Sequence, residues 1–199
     1  MRRRGLLAGV LAVAGCGLSE RAYEAKRDWP LVARRPRVPA GNARGLVLLV
    51  RAMQAGPGLE TRGLRSLRAD GSVRSDFYET WAVPPAQGVE AALRDWLVDT
   101  GRYTAVLAPG SRMTADLVLE STLTEFIADP SRSVARAAMT VVVLADRDGA
   151  TRVRAQHVLA AEAPLAGAEA PAIAQALLAA LAVLLAEAEQ ALAGLSRQA

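Results

Sequence analysis

The sequence predicts a mixed α/β fold, in which a largely antiparallel sheet is packed by an amphipathic helix and a long C-terminal helix. Three observations carry this prediction. Between residues 45 and 161, short apolar or alternating runs are separated by Gly, Pro and Asp turn signals. Residues 85–100 place apolar side chains at the three- and four-residue spacing of a helix. An Ala- and Leu-rich segment at residues 169–195 follows the last predicted strand.

The first fifteen residues have the pattern of a secretory signal. Three arginines at positions 2–4 precede an apolar run at residues 6–14. A secretory apolar run has about 7–15 residues, whereas a helix that spans a membrane needs about 20. We therefore predict that residues 1–15 are a signal peptide rather than a membrane span.

A cysteine directly follows this signal. The stretch Val13-Ala14-Gly15-Cys16 resembles a bacterial lipobox, in which a signal peptidase cuts before a cysteine that carries a diacylglycerol thioether. The resemblance makes Val13, Ala14 and Gly15 the predicted peptidase recognition residues. Cys16 is the predicted site of lipidation with acyl chains such as palmitate. The alternative is an ordinary buried thiol, since free cysteines are often buried. A single cysteine excludes an intramolecular disulfide and a cysteine-built zinc site.

Residues 16–44 are predicted to be a lipidated tether and residues 45–199 the folded domain. Basic side chains are frequent in the tether, where they could contact anionic head groups or simply be solvated. Trp29, Leu31 and Val32 could instead add a short edge strand. Removing the three signal arginines from the 24 Lys and Arg leaves 21, against 20 Asp and Glu. The mature protein is thus near neutral, which argues against nucleic acid as a partner.

The first half of the domain predicts a strand, a hairpin and a helix. The apolar run at residues 46–50 is typical of a strand buried on both faces. A hairpin follows, with arms at residues 63–68 and 73–83 around an Asp-Gly turn. Strict alternation in its second arm predicts that Val73, Phe77 and Trp81 share one face. Two prolines at positions 84 and 85 suit the start of the helix, and Gly101 suits its C-terminal cap.

The second half predicts a short strand at residues 104–107 and a three-strand meander at residues 116–127, 134–145 and 151–161. Alternation in the last strand places Val153 and His157 on one face. The segment at residues 169–195 is predicted to pack on this sheet. The alternative is a membrane span, because about 17 uncharged residues reach the lower limit of length for one.

The sequence contains no catalytic or cofactor-binding motif. One histidine cannot build a histidine metal site, and neither a Gly-x-Ser-x-Gly elbow nor a glycine-rich phosphate loop is present. Aromatic residues are few and are not interleaved with basic ones, so a stacking surface for single-stranded nucleic acid is not expected. We predict a protein that is not an enzyme and that has no cofactor apart from the lipid on Cys16.

The order of several motifs resembles one family, the ABC-type transport auxiliary lipoproteins, which include the paraquat-inducible Pqi-type lipoprotein. The resemblance rests on the stretches at residues 58–64 (GLETRGL), 78–85 (YETWAVPP) and 115–119 (ADLVL), with the helix that ends near Gly101. It implies a periplasm-facing lipoprotein of the outer membrane. Its implied partners are an MCE-domain protein and the permease and ATPase of an ABC transporter that moves lipids between membranes.

Two site predictions accompany the resemblance. The residue after Cys16 is Gly17 and not the aspartate that commonly retains lipoproteins in the inner membrane. By analogy, this favours the outer membrane. Arg62, Tyr78 and Trp81 are candidate partner-binding residues, although Trp81 could instead anchor the core. A monomer and a homo-oligomer are both compatible with the sequence.

Two functions remain in competition at the level of sequence. The first is a tethered, non-catalytic auxiliary component of such a transport system. The second is a stand-alone lipoprotein that holds a hydrophobic small molecule between the sheet and the C-terminal helix, where many alanines could leave a groove or allow close packing.

Overall fold

The structure is a computed structural model, and it describes residues 24–36, 45–147 and 150–194. The strands are β1 (Arg27–Trp29), β2 (Val47–Val50), β3 (Gln54–Ala55), β4 (Gly63–Leu67), β5 (Val73–Trp81), β6 (Ala105–Leu107), β7 (Leu117–Asp129), β8 (Val134–Arg147) and β9 (Ala150–Pro164). The helices are α1 (Pro85–Asp99) and α2 (Ala170–Ala193). The predicted fold class is confirmed: the strands form a mixed sheet, and both helices pack against it.

The sheet is organised around β7, its central long strand. One edge of β7 pairs antiparallel with β8, which pairs antiparallel with β9. The other edge pairs in parallel with β2, β3 and β4 in succession. Beyond these, β6 lies beside β2, and β5 and then β1 lie beside β4. The sheet therefore runs from β1 and β5 at one edge to β9 at the opposite edge.

Each helix begins and packs as its sequence pattern indicates. Pro85 opens α1, where its missing N–H costs no hydrogen bond, and Gly101 follows the helix with a φ of 61°. The apolar side of α2 is buried against the sheet strands and α1. Its fully buried side chains lie on one helical face and include Leu177, Leu181, Leu184 and Leu185.

The strict alternation predicted for the second hairpin arm is wrong at a bulge. Gly63 pairs with Thr80 and Arg65 pairs with Ser75, so two residue steps along β4 oppose five steps along β5. Because a strand has a period of two, the odd offset reverses which side chains face the core. Phe77 is consequently 66 % exposed while Trp81 is 1 % exposed, and the two do not share a face.

Two further face predictions are corrected by pairing. In β9, Val153 pairs with Leu144 and Ala155 pairs with Val143, so one extra residue turns Val153 away from the face of His157. In β2, Leu48 and Val50 are fully buried but Val47 and Leu49 are only half-buried. The run at residues 46–50 is therefore buried on one face and partly covered on the other.

Candidate interaction surfaces

The segment at residues 24–36 lies against the domain and is not a free tether. Its strand β1 runs parallel to β5, so an edge strand is present as the alternative predicted, but it includes Trp29 and ends before Leu31 and Val32. Trp29 donates its indole N–H to Glu79 Oε2 at 2.8 Å, and Arg27 Nε donates to Glu79 Oε1 at 2.7 Å. Thr80 donates its hydroxyl to Asp28. Glu79 and Thr80 are buried polar residues of β5, so the segment supplies hydrogen bonds that their burial requires.

The same segment then packs over α1. Leu31 is buried, and it occupies the space beside Gly88, where an added Cβ would lie 3.0 Å from Leu31 Cβ. The backbone N–H of Ala82 also donates to the carbonyl of Trp29 at 2.8 Å. A glycine inside a helix is unfavourable by about 1 kcal/mol relative to alanine, so its place here is explained by the close approach of Leu31.

A charged cluster fixes the far end of this segment between the two helices. Arg35 donates from Nε to Glu189 Oε2 and from Nη2 to Glu189 Oε1, both at 2.8 Å. Trp96 of α1 donates its indole N–H to Glu189 Oε2 at 2.9 Å. The hydrogen bond from Arg35 lowers the pKa of Glu189 against the opposing effect of its partial burial. One carboxylate of α2 therefore holds the N-terminal segment and α1 together.

The β5 bulge presents two aromatic rings to solvent. Phe77 and Tyr78 meet edge to face with ring centroids 5.1 Å apart, and Lys26 Nζ lies 3.9 Å from the Phe77 centroid. Phe77 is 66 % and Tyr78 37 % exposed. These three side chains form a surface that we name the β5 knob.

Hydrogen bonds from its own backbone hold the bulge in shape. Asp76 Oδ1 accepts from the N–H groups of Tyr78 at 2.9 Å and Glu79 at 3.0 Å, and Arg74 donates to Asp76 Oδ2 at 2.8 Å. Partial burial raises the pKa of Asp76, but these hydrogen bonds outweigh it and the net pKa is lowered. The carboxylate form of Asp76 is thus the one that supports the knob.

The predicted partner-binding residues do not form one site. Arg62 is exposed and donates from Nη1 to the carbonyl of Ala82 at 3.1 Å. Tyr78 is exposed in the β5 knob. Trp81 instead packs on Phe126 with ring centroids 5.5 Å apart, so it is the core anchor that was the alternative. The lipidation site Cys16 and the recognition residues at positions 13–15 lie outside the described residues.

A polar groove crosses the sheet where β2 and β3 meet β7. It measures about 310 Å³ and contains the exposed ion pair between Arg51 Nη1 and Glu120 Oε1, at 2.6 Å. Within the part of the chain that the structure describes, no three His, Cys, Asp or Glu side chains are placed to hold a metal ion. His157 is half-buried on β9, opposite Val141 of β8.

The packing of helix α2 tests two alternatives from the sequence: that this helix spans a membrane, and that it leaves a groove for a hydrophobic ligand. By length and composition it is apolar enough to cross a membrane. Here, however, its leucines pack on the sheet, and Ala174, Ala180 and Ala188 are fully buried between them. Small side chains let backbones approach, so these alanines serve close packing rather than a groove.

Comparison with known proteins gives a family and a fold. A family model described as "ABC-type transport auxiliary lipoprotein component" matches residues 31–189. The protein XCC0632 from Xanthomonas campestris has a similar crystal structure, with a TM-score of 0.71 and 21 % identity over 81 % of this chain and 92 % of that chain. A hypothetical protein from Chlamydia trachomatis, CT253, has a TM-score of 0.52 and 10 % identity over 73 % and 96 % of the two chains. No curated protein matches the sequence.

Proposed function

The chain belongs to the family of ABC-type transport auxiliary lipoprotein components, and on this basis we propose that it is a membrane-anchored, non-catalytic component of an ABC transport system. The match over residues 31–189 is the observation that carries the proposal. In this proposal the system is of the MCE type, and it moves lipids or other hydrophobic molecules between the inner and outer membranes.

Anchoring is the first part of the proposal. Cys16 carries the acyl chains, and the protein faces the periplasm from the outer membrane, as Gly17 favours by analogy. A single acyl chain binds a membrane only weakly and reversibly, whereas two or three chains anchor stably. The docking of residues 24–36 along β5 and α1 supports this arrangement, because it joins the chain that leaves the anchor to the core of the domain.

The second part is that the domain works by binding rather than by catalysis. Among the described residues, no three His, Cys, Asp or Glu side chains lie close enough together to hold a metal ion. The one histidine of the sequence lies half-buried on β9. Arg62 is the surface residue proposed to contact the MCE-domain protein or the transporter. The close packing of the α2 alanines argues against the alternative, a stand-alone lipoprotein with a hydrophobic molecule between sheet and helix.

Replacing Cys16 by Ala tests the anchor. We expect this variant to lose incorporation of labelled palmitate and to appear as unprocessed precursor or as soluble periplasmic protein. Gly17→Asp is the matched control, because it keeps the cysteine and changes only the sorting position, so it should stay lipidated but move to the inner membrane. Sucrose-gradient fractionation of the cell envelope measures both. A Cys16→Ala protein that still fractionates with the outer membrane, without label, would contradict lipidation.

A photo-crosslinking amino acid at position 62 tests the partner. We expect a crosslink in cells to an MCE-domain protein or to the permease, because Arg62 is exposed beside β5. The control is the same amino acid at position 158 on the opposite sheet edge, where the side chain is exposed. Equal crosslinking at both positions would argue against docking at Arg62. A lipid retained in native mass spectrometry of the isolated monomer would favour the ligand-binding alternative.

A further inference from the structure

The β5 knob exposes two large aromatic side chains at a fixed position. Phe77 and Tyr78 lie in the bulge that Asp76 closes through two backbone hydrogen bonds, so they do not belong to a loosely held loop. Aromatic rings in water lose the favourable free energy of burial. Their exposure on a constrained bulge therefore indicates a contact with something outside this chain.

The knob lies beside the point where the chain arrives from its predicted anchor. Lys26 touches the Phe77 ring, and only seven residues separate Glu24 from Cys16. An extended chain spans at most about 3.3–3.6 Å per residue, so eight residue steps reach roughly 27 Å. If Cys16 carries acyl chains, which is the part of the proposed function on which this inference rests, Glu24 lies within this reach of the bilayer surface, two residues before the lysine of the knob.

The chemistry of the knob matches the boundary between lipid and water. Aromatic rings concentrate at this boundary, and lysine extends its charge toward the head groups while its methylene chain stays in apolar surroundings. The nearby carboxylates of Asp76 and Glu79 are paired with Arg74 and Arg27, which reduces their repulsion from anionic lipids. Tyr78 adds a hydroxyl that can hydrogen-bond to head groups.

We propose that the β5 knob inserts into the head-group region of the membrane that holds Cys16 and thereby orients the domain. The sheet order places β9 four strand spacings from β5, about 19 Å at 4.8 Å per strand. With β5 at the membrane, the β8–β9 edge points into the periplasm. Tyr78 then contacts lipid, and Arg62 is left as the candidate for protein docking.

A single fluorescent probe tests this orientation in the lipidated mature protein. Cys16 is the only cysteine and its thiol carries the lipid, so Phe77→Cys introduces one free thiol for an NBD label. The protein is reconstituted in vesicles of phosphatidylethanolamine and phosphatidylglycerol that contain shallow doxyl-labelled lipids. We expect a blue shift and loss of emission for this probe. The matched control is Val158→Cys on β9, whose side chain is 76 % exposed and whose probe should be unaffected.

The outcomes separate this inference from the proposed function. Protein that does not float with the vesicles indicates a failed anchor and contradicts the proposed function itself. Protein that floats while the probe at position 77 stays unquenched, with Tyr78→Cys giving the same result, overturns the membrane contact alone. Probes at 77 and 78 that respond only when an MCE-domain protein is added would overturn it as well, and would assign the knob to protein docking.

Discussion

Replacing Trp81 by Ala is expected to lower the free energy of unfolding by about 3–5 kcal/mol, the cost of deleting a large buried aromatic side chain. The indole is 1 % exposed and packs against Phe126, between β5 and β7 of the same core. The surrounding strands are joined by backbone hydrogen bonds and can close the resulting cavity only in part. Urea unfolding of the mature protein in detergent, followed by circular dichroism, measures the change.

Val158→Ala is the control for this experiment. Its side chain is exposed on β9, so the free energy of unfolding should stay within about 0.5 kcal/mol of the unsubstituted protein. A Trp81→Ala protein with nearly unchanged stability, but with lost binding to a transport partner, would contradict the core position. That result would instead support the prediction that Trp81 is a partner-binding residue.

Glu189→Ala is expected to lower the free energy of unfolding by about 1.5–3 kcal/mol, because it removes the charged acceptor of the hydrogen bonds from Arg35 in a partly buried site. The Arg35 side chain is only 8 % exposed, and Trp96 would also lose the acceptor of its indole N–H. Alanine is the best helix former, so a loss of helix propensity in α2 cannot explain the effect. Urea unfolding again gives the magnitude, and hydrogen exchange in residues 27–33 reports on release of the N-terminal segment.

Glu120→Ala is the matched control, because it removes a carboxylate from an ion pair that water surrounds. The Arg51 and Glu120 side chains are 57 % and 41 % exposed, and such pairs contribute only about 0–1 kcal/mol. Equal losses from the two substitutions would contradict a special role for Glu189 in holding the segment and the helices together.

The Glu189 cluster also makes stability depend on pH in a defined direction. The hydrogen bond from Arg35 lowers the pKa of Glu189 in the folded protein. Its contribution is therefore present above the unfolded-state pKa, about 4.3, and is lost as the pH falls through the folded-state value. Unfolding curves of the wild type and of Glu189→Gln should differ at neutral pH and begin to converge only when the pH falls below about 4.3, as the Glu189 carboxylate is protonated. Curves that stay parallel across this range would contradict the linkage.

Several elements followed directly from local sequence patterns. The Asp-Gly turn between β4 and β5, the prolines at the start of α1 and the Ala- and Leu-rich composition of α2 are local features of the sequence, and the structure has the expected element at each of them. By contrast, no strand is predicted at residues 54–55, where the structure has β3. Two residues carry too little periodicity to indicate a strand, and only their pairing with β7 makes them one.

The candidate interaction surfaces were harder to predict from the sequence. Asp76 followed by two aromatic residues could have signalled a turn, because aspartate often caps the N–H groups two and three residues on. The alternation on both sides concealed this turn and predicts instead that Phe77 shares a face with Trp81. Nothing in the sequence pairs Arg35 with Glu189, which lie 154 positions apart.

The sequence by itself determined the fold class, the order of most elements, the family resemblance and the prediction of a lipid on Cys16, because each depends on composition, spacing or a contiguous motif. The tertiary structure alone decided that residues 24–36 join the domain, that Trp81 is buried and that Phe77 and Tyr78 face outward. The physical reason is register. The register shift between β4 and β5 changes which face of the sheet the β5 side chains occupy on its two sides. This shift depends on pairing between strands, and the residues next to Phe77 in the sequence do not reveal it.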